Sequence, residues 1–113
     1  MASYEAESAR TPHIRVEVLR EDEGPDGWTY EIDAAQDADS RLLELRLGFR
    51  DHDHWSGGAS RPSVVAKAVV RVLIERLGLD ELPGSFDAAR GRRLVPDFDE
   101  LVGPAIEDGP TNC

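Results

Sequence analysis

The residues best suited to chemistry stand together at Asp51-His52-Asp53-His54-Trp55, followed by Ser56-Gly57-Gly58. Read as an extension of the strand before it, this segment projects His52 and His54 from one face and Asp51 and Asp53 from the other, since side chains alternate along a strand. Two imidazoles on one face can hold zinc or another first-row divalent ion. Asp51, or His13 from the start of a neighbouring strand, would complete the set. An open position would take water, and the chemistry would be that of a metal-dependent hydrolase or nuclease. The plainer reading makes the same residues polar loop groups bonded to nearby backbone, and no definite third ligand stands beside the pair.

Downstream, Gly57, Gly58 and Ser60 lead into a helix start. Glycine-rich turns there can aim backbone N–H groups at an anion, which the helix dipole also favours. Arg61 and Lys67 add positive charge. The spacing is not that of a Walker A loop, because no Gly-Lys-Ser/Thr follows, and the sheet before it reads as antiparallel, unlike a dinucleotide fold. The competing reading is a flexible turn with Ser60 as helix cap. Trp55 is either an interface anchor or a lid over the domain's own core. Arg90-Gly91-Arg92-Arg93 is a solvated helix end or a contact for acidic groups. No nucleophile set assembles, since Cys113 is far in sequence from every histidine, and a non-enzyme is the preferred reading.

The elements that position these residues follow from periodicity. Ile14, Val16 and Val18 alternate with polar neighbours, as do Trp28, Tyr30 and Ile32, and then Leu43, Leu45, Leu47 and Phe49. Period two predicts three strands with one buried face. Short connections make them an antiparallel meander, with the Gly- and Pro-bearing turn at 21–27 between the first two. Arg15, Glu17, Glu31, Glu44 and Arg46 would line the outer face and pair across strands. Pro62 opens a long amphipathic helix that runs to Leu77 and stops at Gly78. Its wide apolar face is built from Val65, Val69, Val72, Leu73 and Ile74, and Ser63, Lys67, Arg71 and Glu75 form a solvated stripe. Short helical segments are expected after it, one over Ser85–Arg93 and one over Asp97–Val102. The expected class is therefore α+β, a three-stranded meander on one long helix. Residues 1–12 form a loose N-terminal tail, 13–102 a single domain and 103–113 a loose C-terminal tail.

The whole chain has 113 residues and a net charge of −10, which favours one acidic domain. Such a surface repels phosphates and anionic lipid, so nucleic acid and membrane are not the default partners. The charge is uneven: residues 61–77 carry Arg61, Lys67, Arg71 and Arg76 against Glu75 alone. One cysteine permits no internal disulfide, and no long apolar run is present, so a cytoplasmic protein is expected. Twelve arginines beside the single Lys67 read as the coding bias of a GC-rich, bacterial genome. Three strands followed by a helix resemble, in element order only, the later part of double-stranded-RNA-binding domains. The preceding helix and the dense lysines of such domains are missing. The preferred reading is a small non-catalytic protein-interaction or regulatory module of the antitoxin, immunity or adaptor kind. It needs no cofactor. Its contact surface is Trp55, Arg61, Lys67 and Arg71, its partner another protein with a basic surface that suits the acidic chain, and a homodimer is compatible with it. The metal-dependent hydrolase or nuclease and the βββα nucleic-acid binder stand as alternatives.

Overall fold

In the computed structural model, residues 13–57 and 59–108 are described. The expected N-terminal tail, Gly58 and residues 109–113 lie outside them. Three long strands form first: β1 (Ile14–Glu23), β2 (Gly27–Gln36) and β3 (Asp39–Gly48). All neighbours among them are antiparallel, as the period-two pattern requires. The β2–β3 connection is only Asp37 and Ala38, with Asp37 at φ 56°, a left-handed turn that Asp tolerates. The β1–β2 turn closes on Gly27, where a side chain would collide with the Leu47 backbone.

The sheet has a fourth member that periodicity cannot reveal. Ser85–Asp87 forms β4, parallel to β3, so the sheet is mixed with order β1-β2-β3-β4. This corrects the expected meander of three strands, and it corrects the helix expected to start at Ser85. Three residues are too few for a pattern; only Phe86, buried between exposed Ser85 and Asp87, marks the strand.

Four α-helices occur among the described residues, not one long helix with fragments. They are α1 (Phe49–Ser56), α2 (Pro62–Leu77), α3 (Gly91–Leu94) and α4 (Phe98–Asp108). Short 3-10 turns cover Leu79–Glu81 and Ala88–Arg90. Helix α2 is rich in valine, a middling helix former. Burial decides instead: Val65, Val69, Val70 and Leu73 are fully enclosed against Tyr30, Ile32, Leu43 and Leu45 of the sheet. It ends at Gly78, whose φ of 93° suits glycine. Its N-cap is Arg61, not Ser60, and no side chain caps it. Helix α4 continues through Pro104 to Asp108, six residues past the boundary expected at Val102, because Val102 and Ile106 lie one turn apart on its core face.

The opposite sheet face carries exposed Arg15, Glu17, Glu31, Glu44 and Arg46, as the alternation requires. The expected charge pairing is only partly met. Glu31 lies opposite Glu44, while Arg46 pairs with Asp87 at 3.1 Å. No helix among the described residues is long and apolar enough to cross a membrane.

Candidate functional site

The Asp51–His54 segment folds as α1, not as an extension of β3. Gly48 breaks the strand, and Gly57, at φ 66°, closes the helix with its N–H on the Asp53 carbonyl at 2.7 Å. Residues two apart on a helix point about 200° from each other, so His52 and His54 diverge. His52 turns inward. Its ring meets Trp28 edge-on at 5.2 Å, and its Nε2–H donates to the Ser60 carbonyl at 2.7 Å. His54 and Asp53 are exposed. His13 sits beside Asp37, at the opposite end of β2 from α1. The two-histidine face with Asp51 is thus not formed. Among the described residues no three His, Cys, Asp or Glu side chains converge as metal ligands.

Asp51 and Trp55 belong instead to a clamp on Arg92. Trp55 is 7% exposed and packs edge-on against Phe98, with centroids 5.5 Å apart. It is a lid on the domain's own core rather than a free anchor. Its Nε1–H donates to Asp99 Oδ1 at 2.7 Å. Arg92 grips both Asp99 oxygens at 2.8 and 3.0 Å, reaches Asp51 at 3.2 Å and lies 5.0 Å from the centre of the Trp55 ring. Partial burial pushes the Asp99 carboxyl up. The Trp55 and Arg92 hydrogen bonds and the charges of Arg92 and His54 outweigh this and hold it below the usual carboxylate range. Gly91 allows the approach, since a methyl there would meet the Phe98 ring. From the basic cluster 90–93, Arg92 is therefore structural.

Of the anion cradle expected from Gly57, Gly58 and Ser60, only part falls within the described residues. The Gly57 N–H is spent on the α1 cap, the Ser60 carbonyl accepts from His52, and Gly58 lies outside the described residues.

A different concavity does form, a groove of about 580 Å³ beside the sheet edge. Ile14, Arg15 and Val16 of β1 make one wall, and Ala105 of α4 contributes to the lining. Helix α2 and the residues before it supply Ser60, Arg61, Val64, Lys67, Ala68 and Arg71. Three residues singled out from sequence, Arg61, Lys67 and Arg71, therefore come together, whereas Trp55 does not join them. The side chains of Arg15, Arg61 and Lys67 are exposed and form no ion pair or hydrogen bond among the described residues. Arg71 reaches only the Ile14 carbonyl, at 3.5 Å. Four cations thus surround a small apolar patch, Val64 and Ala68, on a chain of net charge −10. Sequence reasoning placed Arg15 on the outer sheet face without relating it to the helix. Its sign and its position at an edge strand were the available signal.

Compared with known protein families, curated protein sequences and solved structures, the chain matches none.

Proposed function

We propose that the protein is a non-catalytic interaction module that binds an acidic partner protein in the groove between β1 and α2. The observation that carries this reading is the set of cations whose side chains have no partner among the described residues, Arg15, Arg61 and Lys67, gathered in one concavity of an acidic chain. Elsewhere the arginines are mostly used internally: Arg41 caps the carbonyls of Leu79 and Leu82, Arg76 pairs with Asp97, and Arg92 holds the clamp. Positive charge without an internal partner, beside apolar surface, is complementary to carboxylates and gives specificity and register to an interface.

The test is a titration of the isotope-labelled full chain with poly-L-glutamate and with poly-L-lysine at physiological salt. Polyglutamate is expected to shift the amides of Arg15 and of Arg61–Arg71, and R61E/K67E to remove those shifts without lowering the melting temperature. Groove amides that ignore polyglutamate, or that respond equally in the charge-reversed variant, would overturn the reading.

A further inference from the structure

The groove is bounded by a strand edge whose hydrogen-bonding phase can be derived, and this inference rests on the groove reading above. The His13 carbonyl accepts from the Asp37 N–H at 2.8 Å, and Ile14 stands opposite Gln36. Bonded and non-bonded pairs alternate along an antiparallel ladder. Arg15 and Glu17 therefore turn their backbone groups toward β2, and Ile14, Val16 and Val18 turn theirs outward. The Arg71 guanidinium on the Ile14 carbonyl agrees with that phase. A register shift between Val18 and Arg20 ends the regular stretch. Among the described residues no strand pairs with the outer side of β1.

We infer that the groove takes an acidic polypeptide segment in extended form, which adds to β1 as a further strand. Its backbone pairs with the outward N–H and C=O of Val16 and the N–H of Val18. Side chains on its inner face meet Arg61, Lys67 and Arg71, and their methylene stems lie on Val64 and Ala68. Arg15 meets carboxylates on its outer face. Strand addition supplies sequence-independent main-chain bonds, and the cations select for acids. A nucleic acid could use the cations but not the alternating donors and acceptors of the edge, and the charge of −10 opposes it.

The probe is a short capped peptide of alternating glutamate and threonine, compared with the same peptide N-methylated throughout and with a short RNA duplex. Amide spectra of the labelled full chain at physiological salt report on each. The unmodified peptide is expected to shift Val16, Val18 and Arg61–Arg71 and to slow hydrogen exchange at Val16 and Val18. N-methylation should weaken binding about tenfold or more, because ladder bonds are lost. K67E should weaken it about threefold, as an exposed ion pair does. If the methylated peptide binds equally well, the strand inference fails and the acidic-groove reading survives. If neither peptide nor polyglutamate binds, both fail. Tighter binding of the RNA at the same amides overturns the inference in favour of nucleic acid. Protection of Val16 and Val18 in the peptide-free chain, with no peptide binding, also overturns it; sedimentation then tells a second copy from the chain's own ends.

Discussion

Replacing Asp99 tests whether the cluster once suited to metal chemistry is a structural clamp. Asp99→Ala removes the acceptor of the Trp55 Nε1–H bond and the carboxylate held by Arg92. A hydrogen bond to a charged acceptor contributes about 1.5–3 kcal/mol. The Asp99 side chain is 41% exposed, so water screens it and the lower end applies. Its ion pair with Arg92 adds at most about 1 kcal/mol for the same reason. The expected loss is about 2 kcal/mol. Asp99→Asn keeps an oxygen for Trp55, and Arg92 keeps Asp51, so that variant should lose only about 1 kcal/mol. Urea unfolding at neutral pH measures both, and the midpoint should fall by about 1 M for Asp99→Ala at unchanged slope. The sign with pH follows from the direction of the shift. The folded-state carboxyl sits below its ordinary value, so its contribution is complete above about pH 4 and fades as the pH drops further, through the folded pKa. Acid unfolding should therefore be less steep in Asp99→Asn. The reasoning is refuted if Asp99→Ala lies within about 0.5 kcal/mol of the parent, the range of an ordinary surface change.

Gly91→Ala drives a methyl into the Phe98 ring and should cost about 1–3 kcal/mol in thermal melts; a neutral result would mean that α3 is loosely seated. Among the described residues the Tyr30 hydroxyl is buried and makes no hydrogen bond of good geometry, although the Glu21 carboxylate is close enough to interact with it. Burial and the nearby carboxylates of Glu21 and Glu23 push its pKa up, so Tyr30→Phe should be neutral or stabilising by about 1 kcal/mol in urea unfolding. His52→Ala should cost about 1 kcal/mol through its lost bond to Ser60, whereas exposed His54→Ala should stay within about 0.5 kcal/mol; equal effects in urea unfolding would restore the pairing of the two imidazoles.

The strands and α2 were legible because burial imprints a period on the chain. Leu43, Leu45 and Leu47 alternate with Glu44 and Arg46, and Gly78 stands where its φ is needed. Helix α1 was not legible: among its residues only Trp55 is buried, so Asp51–His54 carry no apolar period, and two glycines mark its ends instead. Strand β4 shares the difficulty, as Phe86 alone points inward. The clamp joins Trp55 to Asp99, 44 positions away, a separation no local pattern encodes. The groove was half legible. Lys67 and Arg71 stand four apart on one helix face and Arg61 holds the N-cap position of that helix, but Arg15 enters only because α2 packs beside β1.

Charge gives the groove reading a kinetic signature that separates it from nonspecific attraction. At a distance, an acidic segment meets a body of net charge −10 and is repelled. At contact, it meets Arg15, Arg61, Lys67 and Arg71, and the local sign is reversed. Salt acts on these ranges separately. Raising ionic strength from about 0.01 to 0.15 M shortens the Debye length from about 30 to 8 Å, which removes the long-range repulsion first. Association with an acidic peptide should therefore quicken with added salt, while dissociation quickens as well because exposed pairs are screened. A partner drawn by overall charge, such as polylysine, should associate more slowly under the same change. Stopped-flow traces that slow for both ligands would show that the groove cations do not govern the encounter, and the reading that rests on them would fall.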